Sequence, residues 1–374
     1  MHLSGFSTEE FALHRFHFAA SIAVSIFVLA ASACSGGGTT TVARSTTTTS
    51  VVPVVTTVPQ TTSTTTVPTS TTVAEIIPTA PFTGLASESD LSRPAFVVKI
   101  DNAPQARPQW GINQADVVFE ELVEGNITRF AAVFHSQDTE NIGPVRSART
   151  GDFELLTNLN RPIFGNSGGN PTVMKLLKEV NMVLVGDTNV GGEAYWRSSE
   201  KKAPHNLLTS TPKIYASSNG QGGTPPQMFN YRSDSEEISS AAREIQGVNI
   251  DFGGHKIEYR WNTESKGWDR TQNGSLHRDH DGVQVAPENV IIQFVQYGRS
   301  VAFAGSPEVK VIGNGNAWIL TDGRLIAGKW SRPTSGSLTQ FRDLEGEIIS
   351  LTAGRTWIAL PRADTAEILE NRSN

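Results

Sequence analysis

Two arginines, Arg146 and Arg149, are the residues of this chain whose type and spacing most clearly suggest chemistry. They lie in GPVRSARTGDFELL, between a Gly-Pro pair and an apolar run with helical spacing. A guanidinium group donates two parallel hydrogen bonds to a carboxylate or phosphate, and residues three apart share one face of a helix. The free N–H groups at the start of the next helix would favour the same partner. The pair therefore indicates an anion, either in the protein or in a ligand.

Three interpretations of this pair are open from the sequence. The first is a buried structural network with acidic residues of the protein, and the near balance of acids and arginines in this region favours it. The second is binding of an anionic ligand, and the third is a catalytic role. The binding hypothesis predicts these ligand-binding residues: Asp101, Asn102, Arg107, Glu121, Glu124, Arg129, Arg146 and Arg149.

Acid–base catalysis is predicted for a smaller set, Glu121, Glu124 and His205. Paired carboxylates can act as general acid and general base when their environments separate their pKa values. A Ser167–His205–Asp187 triad would follow the chain order of a hydrolase, but the sequence lacks the alternating strand–helix series of that fold. Catalysis is therefore the weaker hypothesis.

The segment LHRDHDG carries His277, Asp279 and Asp281 at alternate positions. On a strand they would share one face, which is a possible arrangement for metal ligands. A polar hairpin that ends in an Asp-Gly turn explains the segment more simply. A single cysteine in the chain excludes a Cys-x-x-Cys site. We predict no metal and no cofactor.

Tryptophans are frequent in the C-terminal half of the chain. Tryptophans on a β surface could bind sugar rings, but at alternate strand positions they more often belong to the core. The five concerned are Trp261, Trp268, Trp318, Trp330 and Trp357.

The elements that must position these residues can be predicted from the sequence. AFVVKID (95–101) is a buried strand, and 115–134 contains two strands joined by a turn at Gly125 and Asn126. GDFELLTNL and PTVMKLLKEV are helices, with a strand and a Gly-rich turn between them. The resulting N-terminal domain (82–232) is a mixed α/β unit with helices covering a sheet.

The C-terminal domain (233–374) is predicted to be β-rich. After a short helical stretch, SEEISSAAREIQG, apolar strands recur with turn residues between them, including an Asp322–Gly323 hairpin turn. The fold class is therefore α+β: a mixed α/β N-terminal domain followed by a β-rich sandwich or partly closed barrel.

The N-terminus indicates where the protein is located. FAASIAVSIFVLAASAC resembles a bacterial lipoprotein signal peptide, which implies cleavage after residues 1–33 and lipidation of Cys34. Residues 34–81 are rich in Thr, Ser, Val and Pro and nearly free of charge, so we predict a disordered, extended tether. The net charge of −6 indicates no nucleic-acid partner.

Long ordered motifs resemble the YerB-like bacterial lipoprotein family, whose two adjoining domains have no known function. They include VVKIDN, ARPQWGINQADVVFEELVEGNITRF, IGPVRSART, GNSGGNP, APHNLLT and GNGNAWILTDGRLIAGKW. The resemblance implies a lipid-anchored protein on the outer face of the cell membrane, without an assigned reaction. We predict binding of an envelope component, such as an anionic glycan or peptidoglycan. The alternatives are a cell-wall hydrolase or transferase and a scaffold for an envelope protein.

Overall fold

The computed structural model describes residues 77–233 and 235–371. The predicted signal peptide, Cys34 and nearly all of the predicted tether lie outside these residues. The described residues all fall within one unit, Thr72–Asn374. Within them, none of the helices has the length and apolarity that crossing a bilayer requires.

Short strands make up most of the ordered structure. In chain order the strands are β1 (Phe96–Asp101), β2 (Val117–Leu122), β3 (Thr128–Phe134), β4 (Ile163–Gly165), β5 (Val183–Leu184), β6 (Trp196–Arg197), β7 (Leu207–Leu208), β8 (Asn230–Tyr231), β9 (Arg243–Glu244), β10 (Gly247–Asp251), β11 (Lys256–Asn262), β12 (Gly267–Gln272), β13 (Ser275–Leu276), β14 (Asn289–Gln293), β15 (Gln296–Arg299), β16 (Pro307–Lys310), β17 (Gly313–Thr321), β18 (Arg324–Arg332), β19 (Gln340–Asp343), β20 (Ser350–Leu351), β21 (Thr356–Ala359) and β22 (Ala366–Leu369). The α-helices are α1 (Gly151–Leu156), α2 (Pro171–Leu177), α3 (Asp187–Val190) and α4 (Thr211–Ser217).

The largest sheet combines strands from both halves of the sequence. Its order is β19-β18-β17-β14-β21-β2-β3-β1-β4-β5, and β9 pairs with β18. β21 lies between β14 and β2 and runs parallel to both. The sheet is thus continuous across the predicted boundary at residues 232 and 233, while the two-domain division itself stays a prediction.

A second sheet covers one face of the large one. It has the order β13-β12-β11-β10-β22, with every pair antiparallel. Both sheets are open in the described part of the chain. These features confirm the predicted α+β class, with a mixed N-terminal part and a β-rich C-terminal part.

Burial on both faces explains the continuous apolar run of β1. Its residues alternate between two core clusters: Phe96, Val98 and Ile100 pack with the second sheet, and Val97 packs on the opposite face with α1 and α2. A central strand covered on both faces reads as apolar throughout.

The local predictions can be compared with these elements. The turn before β3 contains Gly125 and Asn126, both with positive φ, as their residue types favour. Asp322 and Gly323 also have positive φ and join β17 to β18. The predicted helix over SEEISSAAREIQG is wrong, because its described part contains turns and β9. There the Ser239 hydroxyl accepts a hydrogen bond from the Ala241 N–H, a local bond that competes with the helix.

Candidate functional site

Strand alternation separates two adjacent acidic residues, Glu120 and Glu121. Both lie on β2 and both are buried. Val118 and Leu122 pack in the cluster beneath the second sheet, while Val117 and Phe119 pack in the cluster beneath the helices. Glu120 therefore faces the second sheet and Glu121 faces α1, so each belongs to its own charged network.

On the helix side, Glu121 and Asp152 share one buried lysine. Lys99 Nζ lies 2.5 Å from Glu121 Oε1 and 2.8 Å from Asp152 Oδ1. Burial lowers the pKa of Lys99, but the charges of Asp152 and Glu121 outweigh it and raise the pKa above its usual value. Burial raises the pKa of Glu121, and the neighbouring Asp152 charge raises it further. The Lys99 charge lowers this pKa, but the net shift is upward. One ammonium facing two carboxylates thus makes Glu121 easier to protonate than an ordinary glutamate.

On the opposite face, Glu120 forms a buried ion pair with Arg270 of β12. Arg270 Nη2 lies 2.8 Å from Glu120 Oε1 and 3.0 Å from Oε2. The Trp357 indole N–H donates to Glu120 Oε2, and the Thr128 hydroxyl donates to Oε1. The carboxylate thus has several donors, as a buried charge requires.

The same network extends to the end of β1. His277 Nδ1 lies 2.7 Å from Arg270 Nη1, and its Nε2 lies 2.8 Å from Gln109 Oε1. Gln109 Nε2 in turn donates to the carbonyl oxygen of Asp101 and to the side chain of Asn102. Burial lowers the pKa of His277 well below its usual value, and the nearby Arg270 and Arg107 charges add to that effect. A neutral His277 therefore links the second sheet, through Gln109, to Asp101 at the end of β1.

At that strand end, Asp101 binds two cationic or polar partners. His205 Nδ1 lies 2.7 Å from Asp101 Oδ2, and Arg146 Nε lies 3.1 Å from the same oxygen. Asp101 is buried, whereas the other two side chains are partly exposed. The sequence predicted Asp187 as the acidic partner of His205 in a possible triad. This is wrong, because His205 is paired with Asp101.

Arg149 has a different acidic partner from Arg146. Its Nε lies 2.8 Å from Glu124 Oε1, and its Nη2 lies 2.9 Å from Glu124 Oε2. Burial would raise the pKa of Glu124, but the hydrogen bonds and charge of Arg149, together with the nearby Ser306 hydroxyl, outweigh it and lower the pKa to about 2. The Arg149 backbone N–H at the start of α1 is taken by Asp152 Oδ2. The two arginines therefore bind separate acids of the protein rather than one shared anion.

Arg129 is a buried arginine without an acidic partner at ion-pair distance among the described residues. It is 6% exposed, and none of its atoms forms an ion pair with the described residues. Its Nη1 donates a long 3.4 Å hydrogen bond to the Ser147 carbonyl, and its buried Nε has no hydrogen-bond partner there. Burial lowers the pKa of Arg129 to about 10, with help from the Arg149 and Arg146 charges, so the side chain remains charged at pH 7.

A cavity of about 470 Å³ opens beside Arg129. Such a volume lies in the range of small-molecule pockets and has room for a sugar unit that carries an acidic group. Around Arg129, Arg146 is paired with Asp101 and Arg149 is paired with Glu124. The charge of Arg129 itself therefore has no matching carboxylate in this group. The cavity is lined by Glu124, Arg129, Ser147, Arg149, Asn170, Val173, Ser300, Ala302, Phe303 and Ser306.

The remaining predicted site residues lie elsewhere in the same region. Asn102 donates to Thr128 inside the Glu120 network. Arg107 forms no ion pair with described residues, and burial together with Arg270 lowers its pKa. The structure thus brings Arg129, Arg149 and Glu124 to one cavity, and places Asp101, Arg146 and His205 in a neighbouring group.

Several important residues were not among the predicted site residues: Lys99, Glu120, Asp152, Arg270 and Trp357. A charged residue inside a predicted buried strand was the available signal for Lys99 and Glu120. Their partners lie far away in the chain, so no local pattern could have indicated them.

The described residues contain no group of His, Cys, Asp and Glu side chains suited to a metal ion. In LHRDHDG, His277 is engaged by Arg270 and Gln109. Asp279 accepts hydrogen bonds from Asn113 and from the Val283 N–H. Both side chains therefore serve the packing of this segment.

Comparisons with known proteins agree with this architecture. A family model described as "Protein of unknown function (DUF3048) N-terminal domain" matches residues 82–224, and its C-terminal counterpart matches residues 248–358. "Putative lipoprotein YerB" of Bacillus subtilis (strain 168) is 31% identical over 297 residues, which cover 77% of this chain and 88% of that protein. The crystal structure of YerB from Bacillus subtilis superimposes with a TM-score of 0.69 at 28% identity, covering 78% of this chain and 99% of that one.

Proposed function

Since this chain belongs to the YerB-like lipoprotein family with paired DUF3048 domains, we propose that it is a lipid-anchored protein that binds an anionic polymer of the cell envelope. The anionic group occupies the cavity beside Arg129. One observation carries the proposal: a buried, charged guanidinium group without an acidic partner among the described residues borders a cavity. Burying an unpaired charge is costly, and a bound carboxylate or phosphate would remove that cost.

The other groups around the cavity fit an oxygen-rich anion. Ser147, Ser300 and Asn170 can donate hydrogen bonds from the cavity wall. Glu124 holds Arg149 in a two-point interaction, which fixes one side of the cavity and keeps its net charge low. The site would therefore favour a singly charged group over a cluster of charges.

Binding to purified cell wall tests this proposal. The full chain in a non-ionic detergent would be added to cell wall with and without its covalently attached anionic polymers. We expect salt-sensitive binding that falls when the polymers are removed. Arg129→Met should weaken it roughly tenfold or more, because hydrogen bonds to charged groups contribute about 1.5–3 kcal/mol each.

Two variants complete this experiment. Arg260→Met removes an exposed arginine that pairs with Glu258 on the second sheet, and it should leave binding unchanged. Glu124→Gln adds one unit of positive charge beside Arg129 and should strengthen binding. Equal binding by the wild type and a folded Arg129→Met protein would refute the proposal.

A second candidate function is acid–base catalysis by His205, and the 2.7 Å contact with Asp101 favours it. A carboxylate that accepts from Nδ1 orients the ring and leaves the Nε2 lone pair free to take a proton. In a hydrolysis, Nε2 would take the proton of the attacking water and return it to the leaving group. Asp101 would then be the positioning residue.

Release of soluble fragments from purified cell wall distinguishes the two functions. A hydrolase should release fragments, and His205→Gln should abolish the release while wall binding persists. Absence of release by the wild-type protein would eliminate the catalytic candidate and leave the binding proposal unaffected.

A further inference from the structure

A second cavity, of about 670 Å³, opens at one end of the large sheet. β17 and β18 supply its floor, and one wall comes from Ala363 and Asp364, in the connection between β21 and β22, and from Ala366 at the start of β22. Phe294 and Gln296, which follow β14, complete the opposite side. None of the residues that line the Arg129 cavity lines this one.

Alternation along β17 gives this cavity a row of polar and aromatic side chains. Asn314, Asn316 and Trp318 occupy alternate positions, so they project from one face of the strand. Asn314 and Asn316 are exposed and Trp318 is partly exposed, whereas the intervening Ala317 is buried. Among the described residues, neither asparagine side chain makes a hydrogen bond, and the bond from the Phe294 N–H goes to the backbone carbonyl of Asn316. Their amide groups are therefore available to a ligand.

The neighbouring strand continues this polar surface. Across the β17–β18 ladder, Ala327 lies opposite Trp318 and Lys329 lies opposite Asn316. Ala327 is small, so it leaves the indole ring uncovered on that side. Lys329 is exposed and forms no ion pair with described residues. The surface thus combines an aromatic ring, two amides and a free ammonium group.

Trp318 is held in place by neighbouring aromatic residues. Its ring meets Phe294 edge to face at 5.0 Å and 86°. Trp330 lies below, with its indole N–H donating to the Phe294 carbonyl at 2.9 Å. Gly315 lets the strand pass close over Trp330, since a Cβ there would lie 2.6 Å from Trp330 Nε1. Trp318 therefore has a fixed position, which lowers the entropy lost when a ligand stacks on it.

Trp318 is more exposed to solvent than most tryptophans of the C-terminal half. Trp268, Trp330 and Trp357 are buried, which agrees with a core role. Leu320, two residues after Trp318 on the same face, is fully covered in the core beneath the second sheet. The second sheet thus covers this face of β17 at Leu320 but leaves Trp318 partly uncovered. The uncovered part of the face carries the amide side chains of Asn314 and Asn316 instead of aliphatic residues.

We infer that this cleft, lined by Asn314, Asn316, Trp318 and Phe294, binds a neutral or weakly acidic saccharide. The apolar C–H face of a pyranose ring would stack on Trp318, and its hydroxyl or N-acetyl groups would pair with the amides, which both donate and accept. Lys310 is neutralised by Glu308, so Asp364 is the main remaining charge among the residues that line the cleft, and Lys329 lies beside it on β18. This composition matches a sugar better than a polyanion.

An extended peptide is the competing ligand, because part of β17 has a free edge. β14 pairs with β17 only from Ala317 onward, so Gly313–Asn316 are paired on the β18 side alone, apart from one bond from the Phe294 N–H to the Asn316 carbonyl. A peptide could add a strand there. The unengaged amide side chains on the open face favour the sugar, and the experiment below decides between them.

Saturation-transfer NMR on the full chain in detergent micelles tests the inference. The probes are the tetramer of β-1,4-linked N-acetylglucosamine and an uncharged peptide of alternating Thr and Val. We expect transfer to the sugar and not to the peptide. Trp318→Ala should weaken sugar binding roughly tenfold, as the loss of an aromatic stacking partner predicts.

Three further variants keep the result interpretable. Asn316→Ala changes an exposed side chain, so it should fold normally and still weaken binding even if Trp318→Ala unfolds. Trp261→Ala is the matched control, since Trp261 packs on Trp268 in the second sheet. Arg129→Met should leave sugar binding unchanged, which separates this site from the proposed function. No transfer to the sugar, transfer only to the peptide, or unchanged sugar binding in Asn316→Ala would each overturn the inference.

Discussion

Glu120 Oε1 lies 2.8 Å from Arg270 Nη2 although the two residues are 150 positions apart in the chain, and both side chains are fully buried. One belongs to the large sheet and the other to the second sheet, so the pair joins the two layers. Trp357 completes the arrangement, with its indole N–H on the carboxylate and its ring 4.9 Å from the Arg270 guanidinium carbon. The contact combines an ion pair with a cation–π interaction.

Arg270→Met should strongly destabilise the protein. It leaves Glu120 buried without its cation, and breaking one side of a buried pair costs about 3–5 kcal/mol. The double variant Glu120→Gln/Arg270→Met removes both charges and should recover part of that loss. Chemical denaturation of the wild type, both single variants and the double variant measures the coupling. Additive effects of the two single variants would contradict the pairing.

Lys99→Met should be at least as damaging as Arg270→Met. It leaves Glu121 and Asp152 facing each other without their shared ammonium, and both are buried. We expect a loss of about 3–5 kcal/mol in the free energy of unfolding at neutral pH. Since protonation removes the repulsion, the loss should shrink at acidic pH. A loss that is the same at acidic and neutral pH would show that the repulsion is not its cause.

Asp116 should make the protein less stable as the pH rises from about 4 to 6. The ordinary pKa of this carboxyl is 3.8, and in the folded protein it is raised to about 6. Burial raises it, and this effect outweighs the hydrogen bonds from Ser136, which lower it. The contribution is fully present below the unfolded-state pKa and is lost as the pH rises through the folded-state value. The difference corresponds to about 3 kcal/mol. Asp116→Asn, which keeps the uncharged form, should flatten this part of the stability–pH curve, and an unchanged curve would contradict the assignment.

Gly315→Ala should destabilise the protein by about 1–3 kcal/mol, as overpacking does. The new Cβ would lie 2.6 Å from Trp330 Nε1 and 3.0 Å from the Phe294 carbonyl oxygen, neither of which has room to move. Gly336→Ala is the control, since a Cβ there meets nothing within 4 Å. Thermal unfolding of the two variants should differ in midpoint, and equal midpoints would contradict the close packing around Trp330.

Much of the N-terminal part could be predicted because its signals are local. Runs rich in β-branched and aromatic residues on either side of the Gly125–Asn126 turn determine β2 and β3, and Pro171 marks the start of α2 as expected. The helix predicted after residue 234 failed because hydrogen bonds of serine side chains and pairing with β18 outweigh a weak helical preference.

The candidate site was predictable only in part. Glu124 and Arg129 lie on either side of the turn between β2 and β3, and Arg149 lies just before α1. Their positions at the ends of neighbouring elements made a common site predictable, but the cavity between them was not. Arg270 could not be predicted, because its partner Glu120 is reached only when the second sheet packs on the first. Sequence patterns determine which face a residue occupies, but not which distant element covers that face.

The position of β21 has a consequence for how the chain reaches its final form. Its residues, Thr356–Ala359, fill the gap between β2 and β14 near the middle of the large sheet. During synthesis, the facing edges of β2 and β14 therefore keep their backbone groups unpaired until β21 has been made. A product that ends before Thr356 would carry two open edges near the centre of its sheet, where other chains could pair with them. The large sheet is thus closed by a strand that is made after all its other strands, and a copy without β21 is exposed to proteolysis and aggregation.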